Sequence, residues 1–227
     1  MKVIAFDTST SHGGVAVLRD DKVLSRAVWQ RQGSHGELLT PQIQSCLEAA
    51  GWSPQDLEAV AVGIGPGSFT GVRVAINAAR SLAFAISKPV FAFDTTEIIA
   101  NGCGRADLPL LVIVNAHKNM VFASTFRRDG SDWKRLTPLE AREPEQLLDL
   151  VHGPHLCLGD GYDEYHSLFP PELSRLLVRD SSMSDYPQPE VLGLMHLRAS
   201  PLDWKDVQAL YIRESGAEEK LREDRKK

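Results

Sequence analysis

The segment Ala59–Ser87, AVAVGIGPGSFTGVRVAINAARSLAFAIS, leaves few options for the chain around it. Ala59 to Ile64 is a compact apolar run of strand length. Gly65, Pro66 and Gly67 break it, because glycine permits positive φ and proline fixes φ. Ser68 or Thr70 can cap a helix over Phe69–Ser87, which stops ahead of Lys88-Pro89. The polar residues of that helix, Arg73, Asn77, Arg80 and Ser81, fall on one narrow stripe. The rest of it, including Val72, Ile76, Ala79 and Ala83, is almost wholly apolar. An ordinary surface helix buries a single stripe. This helix is therefore expected to be covered twice, once by its own sheet and once by a second domain or another chain. A helix simply well buried inside one domain has the same composition, and that alternative stays open.

The turn Gly65-Pro66-Gly67-Ser68 admits two uses. A glycine turn feeding a helix N-terminus can present free N–H groups to an anion. The spacing is neither GxxxxGK[ST] nor GxGxxG, so tight strand-to-helix packing is favoured over phosphate binding.

Composition narrows the class. A chain of 227 residues, 43% hydrophobic and 24% charged, can bury a proper core in one large or two small domains. A net charge of −5 argues against a broad basic surface for nucleic acid. Cys46, Cys103 and Cys157 are far apart and form no CxxC pair, which suits a reducing cytoplasm. The opening MKVIAFDTST is too short an apolar run for a signal peptide, and no later stretch is long enough to span a membrane.

In chain order, Lys2–Phe6, Val15–Leu18 and Val23–Trp29 read as three strands joined by tight turns. The first ends in Asp7-Thr8-Ser9, an acid and two hydroxyls that can hold a phosphate and its metal, or simply form a polar turn. Ser34 and Glu37 fit a capping box for a helix running to Ala50. Leu38, Leu39, Ile43 and Leu47 form its apolar face, and Pro41 predicts a kink or a restart. A strand at Val90–Phe93 and a short helix at Thr95–Gly102 complete a βββαβα half. The pattern then recurs. Strands are expected at Leu110–Asn115, Met120–Phe126 and Trp133–Leu136, and a helix at Glu143–Val151. A strand at His155–Leu158, a helix at Asp163–Phe169, a strand at Leu176–Val178 and a helix at Glu190–Ala199 follow. The fold class is thus α/β with duplicated βββαβα halves, residues 1–103 and 104–217. Val207–Ile212 reads as a chain returning to pack, and 218–227 as a charged, disordered tail.

IAFDTST at the start, GIGPGSFTGVR over Gly63–Arg73 and ALYIR over Ala209–Arg213 together resemble the TsaB (YeaZ) family of bacterial tRNA threonylcarbamoyladenosine biosynthesis subunits. The resemblance covers essentially the whole chain in order. It implies the fold of the actin, sugar-kinase and Hsp70 (ASKHA) superfamily. It implies a non-catalytic platform that pairs with the catalytic subunit TsaD and the ATPase TsaE, in transfer of threonylcarbamoyl to adenosine 37 of ANN-reading tRNAs. It further implies that the first two helices make the contact surface, which can also support a homodimer. The partner surface so implied comprises Leu38, Leu39, Ile43, Leu47, Val72, Arg73, Ile76, Ala79, Arg80 and Ala83. tRNA would be met through the complex. ATP or ADP would bind, if at all, at the complex interface; no cofactor of the chain's own is implied.

The residues argue against catalysis by this chain alone. The catalytic relative carries HxxxH on its first helix, where two histidines on one face share a metal. Here His35 is followed four residues later by Leu39. His152 and His155 are separated by Gly153-Pro154 and do not replace the pair. ATP-hydrolysing members of the superfamily open their second half with another acid, and that position is Asn115, which cannot serve as a carboxylate. Two alternatives remain: a small ATPase or kinase using Asp7, Thr8, Ser9, Gly65, Gly67 and Ser68, and, more weakly, a metallopeptidase.

Overall fold

The computed structural model describes residues 1–30, 35–105 and 107–213. The expected Ser34 cap and the charged tail lie outside them. Eleven strands form two sheets among the described residues, and both sheets follow one plan. In the first, β1 (Lys2–Asp7) is central. It pairs antiparallel with β2 (His12–Arg19) and parallel with β4 (Ala59–Gly63). β3 (Lys22–Gln30) and β5 (Val90–Phe93) complete the order β3-β2-β1-β4-β5. In the second, β6 (Leu110–Asn115) pairs antiparallel with β7 (Val121–Asp129) and parallel with β10 (His155–Leu158). β8 (Asp132–Arg135) and β11 (Leu177–Val178) stand outermost, and β9 (Glu140–Arg142) adds to β7. Both sheets are thus one antiparallel meander extended by parallel strands, one plan used twice.

The apolar strands fill both faces of each sheet. Ile4, Phe6, Val60 and Val62 point to one side of the first sheet, under α1 (His35–Ala49) and α2 (Phe69–Ile86). Val3, Ala5, Ala59 and Ala61 point to the other, as period-two alternation requires. That second face is covered by α6 (Pro189–Met195), through Leu192 and Met195. α3 (Thr95–Asn101) inserts Ile98 into the same layer and Ile99 and Ala100 into the layer of the second sheet. A division at residue 103/104 therefore separates the sheets but not the helices: α6, from the second half of the chain, is a core element of the first half.

The structure corrects several expectations. α1 runs through Pro41 as one helix without a restart, with Leu39 and Leu47 on either side of the proline anchored in the same core. The 143–151 segment is a 3₁₀ turn over Pro144–Leu150 rather than an α-helix. The 163–169 helix is divided into α4 (Gly161–Tyr165) and a 3₁₀ turn over His166–Leu168. α5 (Pro171–Leu176) and β9 had no signal in the apolar periodicity, both being short and α5 mostly exposed.

Beyond its sheet, α2 is flanked by the chain's own C-terminal strap. Leu202 bridges to Val90 on the edge of β5. Trp204 packs edge-on against Phe84, with ring centroids 5.0 Å apart. Val207 is fully buried, and Leu210 N–H donates to the Ile64 carbonyl at 2.9 Å. The strap thus lies along α2 in the opposite direction. Between the sheet, α1 and the strap, Val72, Ile76, Ala79 and Ala83 are buried in the chain's own core, together with Leu39 and Leu47 of α1. Each Val or Ile buried in this way contributes about 1.5–3 kcal/mol. Six of the ten expected partner-surface residues are therefore buried within this chain. Arg73 is exposed, and Leu38, Ile43 and Arg80 are half-buried.

Candidate functional site

The first and second halves meet at the ends of β1 and β6, which close on Asp7 and Asn115. Between them lies a cleft of about 860 Å³, lined from the first half by Ser9, Thr10, Ser11, Ser68 and Thr70 and from the second by Asn115, His117, Asp160 and Asp163, among others. It is the natural place for a ligand in such a fold.

The sequence-predicted Asp7-Thr8-Ser9 and Gly65–Ser68 segments do come together, but they satisfy each other. Asp7 is 1% exposed. Its Oδ1 accepts the Ser9 N–H at 2.8 Å and the Ser9 hydroxyl at 2.7 Å. The Ser9 hydroxyl in turn accepts from Thr95 at 2.9 Å. The Thr8 hydroxyl donates to the Gly71 carbonyl at 2.7 Å, and the Ser9 carbonyl accepts the Ser68 N–H at 2.6 Å. Glycines make this possible. A Cβ on Gly67 would fall inside the Ser9 carbonyl, one on Gly71 inside the Thr8 carbonyl, and one on Gly63 against Asp7 Oδ2. The Gly65–Ser68 turn is thus a packing surface for the β1–β2 loop. The helix that it starts is capped by Ser68, whose Oγ accepts the Gly71 N–H at 3.3 Å.

Burial pushes the Asp7 carboxyl up to about 6, against the lowering effect of the two Ser9 hydrogen bonds. Its Oδ2 has no hydrogen-bond partner among the described residues. Across the cleft, burial also raises Asp160 to about 6, opposed by the Asn115 N–H that it accepts at 2.9 Å and reinforced by Asp185 and Glu164. Asn115 is spent as well: its side-chain oxygen accepts from His117 N–H at 2.7 Å and Tyr165 Oη at 3.0 Å.

These residues do not fit a metal–polyphosphate group. The hydroxyls that would cradle phosphates are already used, and Asp7 faces Gly63 rather than the cleft lining. The lining carries Glu37, Asp160, Asp163 and Glu164 and neither lysine nor arginine. Among the described residues no group of three His, Cys, Asp or Glu side chains could hold a metal ion. No helix among them is long and apolar enough to cross a membrane.

Sequence reasoning missed Asp160 and Tyr211. Asp160 lies in Gly159-Asp160-Gly161, the second-half counterpart of the Gly65–Gly67 turn, where a Cβ on Gly159 would strike the Ile113 carbonyl. The duplication could have pointed to it. Tyr211 carries no local signal; its role is set by a residue far away in the sequence.

The exposed stripe of α2 is the other candidate surface. It runs Arg73, Asn77, Ser81, Phe84, with Val74, Ala78 and Leu82 half-buried beside it. Phe84 is 63% exposed.

Comparison with known proteins covers the whole of this architecture. Residues 23–178 match the family model TsaD, tRNA N6-adenosine threonylcarbamoyltransferase. The tRNA threonylcarbamoyladenosine biosynthesis protein TsaB of Bacillus subtilis is 25% identical over 229 residues, covering 100% of both chains. TsaB of Buchnera aphidicola is 33% identical over 166 residues, 70% of this chain and 79% of that one. The structure of YeaZ from Pseudomonas aeruginosa superposes with a TM-score of 0.80 at 25% identity, covering 92% of this chain and 99% of that chain.

Proposed function

The chain belongs to the TsaB (YeaZ) family, and on that premise we propose that it is a non-catalytic platform subunit. It takes part in tRNA threonylcarbamoyladenosine biosynthesis. Its partner is a tRNA N6-adenosine threonylcarbamoyltransferase of the TsaD type, assisted by TsaE, and the complex modifies adenosine 37 of ANN-reading tRNAs. The observation that carries the non-catalytic reading is the closure of the β1–β2 loop on the Gly65–Ser68 turn. Thr8, Ser9 and one carboxylate oxygen of Asp7 are hydrogen-bonded within the chain, and the second Asp7 oxygen is buried away from the cleft against Gly63. Asn115 stands where a second carboxylate would be needed for metal-dependent phosphoryl chemistry.

The partner surface is then the outward stripe of α2 with the exposed edge of α1, not the buried belt. Phe84, Ala78, Leu82 and Val74 supply apolar area, and Arg73 and Asn77 supply polar contacts, a composition that suits a protein interface. In isolation the same stripe supports a homodimer.

The test is size-exclusion chromatography with light scattering, on this protein alone and mixed with the threonylcarbamoyltransferase of the same organism. A 1:1 complex formed at the expense of any homodimer is expected, with tRNA modification requiring both chains. Magnesium-dependent ATP turnover by the isolated protein, with no complex, would instead favour a small ATPase.

A further inference from the structure

Among the described residues five arginines lie over aromatic rings, Arg19, Arg73, Arg128, Arg135 and Arg179, and two of them, Arg179 and Arg135, grip a carboxylate of the chain itself. Arg179 sits 4.4 Å from the Tyr162 ring centroid and forks onto Asp185 at 2.8 and 2.6 Å. Arg135 sits 4.7 Å from the Phe126 ring centroid and reaches Asp94 at 2.5 Å. Arg73 stands on the exposed stripe of α2. Its guanidinium carbon is 3.9 Å from the Phe69 ring centroid and 6.0 Å from that of Tyr211. The two rings stack with centroids 5.1 Å apart, and Arg73 Nε donates to Tyr211 Oη at 3.0 Å. Among the described residues, the two terminal nitrogens of Arg73 have no hydrogen-bond or ion-pair partner. The arrangement matches those of Arg179 and Arg135 except that the carboxylate is missing.

We propose that Arg73, oriented by Phe69 and Tyr211, is an anchor that takes one carboxylate of the protein docked on α2. The proposal rests on the pairing described above and adds its chemistry. A guanidinium fixed by an aromatic face and by its Nε loses little freedom when both remaining nitrogens engage a carboxylate in the bidentate manner. Arginines so held are common among the few residues that dominate interface affinity. A phosphate chain is the poorer occupant. The adjoining cleft presents Glu37, Asp160, Asp163 and Glu164, which repel a polyanion. A single carboxylate on an apolar protein face needs only to reach α2, whose stripe continues from Arg73 to Phe84. Tyr211 and Phe69 are positioning residues; they touch the arginine and not the partner's carboxylate.

The test uses the full chain and the threonylcarbamoyltransferase of the same organism, titrated calorimetrically at low and moderate salt. Arg73→Met is expected to weaken pairing about tenfold or more and to flatten its salt dependence. Arg73→Lys, which keeps the charge but not the fork, should recover little of the loss, and Tyr211→Phe should weaken pairing by a smaller factor. Thermal midpoints of Arg73→Lys and Tyr211→Phe should stay close to the parent, which a merely structural role for the cluster would not allow. Wild-type affinity in Arg73→Met and Arg73→Lys, with the parent pairing normally, overturns this proposal alone. A parent that does not pair overturns it together with the platform reading. Undisturbed pairing combined with weakened binding of the tRNA would assign the guanidinium to phosphate and overturn the carboxylate.

Discussion

The ends of β1 and β6 occupy equivalent places in two halves built on one plan, and they have been finished differently. In the first half a carboxylate, Asp7, is sealed at 1% exposure under a glycine turn that leads into an 18-residue helix. In the second half an amide, Asn115, stands half-buried at the cleft, and the corresponding turn leads into a helix of 5 residues. Both turns need glycine for the same reason, since Gly67 presses on the Ser9 carbonyl and Gly159 on the Ile113 carbonyl. The two copies share a backbone device and differ in what it supports. The first carries a long helix, buried along one side and exposed along one stripe; the second closes locally over β6 with short helices and 3₁₀ turns.

Four experiments bear on that contrast. The largest effect is expected at α2. Ala79→Glu or Ala83→Glu places an unpaired charge at a position of 0% exposure and should prevent folding, at a cost of about 4 kcal/mol or more. A soluble variant with parent-like circular dichroism and urea midpoint would mean that the inner face of α2 is not core. Next come the paired glycines. Gly67→Ala and Gly159→Ala should each cost about 3 kcal/mol or more in urea denaturation, while Gly104→Ala, which meets no neighbour within 4 Å, should be nearly neutral. Tolerance at one of the paired sites only would break the equivalence of the turns.

A smaller effect concerns the sealed acid. Asp7 has a folded value of about 6 against an ordinary 3.8, so its contribution to stability is fully present below pH 3.8 and is lost as pH rises through about 6. The lost contribution is up to about 3 kcal/mol. Asp7→Asn should therefore stabilise the protein relative to the parent at neutral pH, and the difference should shrink on acidification. Denaturation of both proteins near pH 5 and near pH 8 checks the sign. Asp160→Asn should act in the same direction, since burial raises Asp160 to about 6 as well. tRNA modification by the reconstituted system should be barely affected by Asp7→Asn; a loss as great as omitting the subunit would show that the loop acts in the chemistry. The mildest change is Phe84→Glu. It should leave the fold intact, since Phe84 is 63% exposed, and weaken pairing about tenfold. Unchanged affinity, read by the same light-scattering assay, would move the contact off this stripe.

Much of the fold was legible because the strands are continuous apolar runs with turn residues between them, and because the second half repeats the first. Ala59–Ile64, Gly65–Gly67 and the helix that follows appear in the structure within one or two residues of where periodicity places them. What periodicity could not assign was the direction of each apolar face. Ala79 and Phe84 both look suited to an interface in the sequence, but one faces the sheet and the other faces out. The difference is decided by tertiary packing, on the sheet and on the strap, whose contacts with α2 join residues 125 and 138 positions apart. The candidate site was legible as residues and not as a state. Asp7 and the Gly65–Ser68 turn were found, but whether they hold a ligand or each other depends on atomic contacts that no local pattern encodes.

The strap also bears on how the protein is made. Until residues 189–213 exist, the first sheet lacks the helix that covers its outer layer and α2 lacks its second flank. Contacts of such long sequence separation close late and slowly. A chain that stalls or is cleaved short of Trp204 would present an apolar α2 without Tyr211 beside Arg73, a surface suited to chaperones rather than to the proposed partner. Assembly would thereby admit finished chains in preference to unfinished ones.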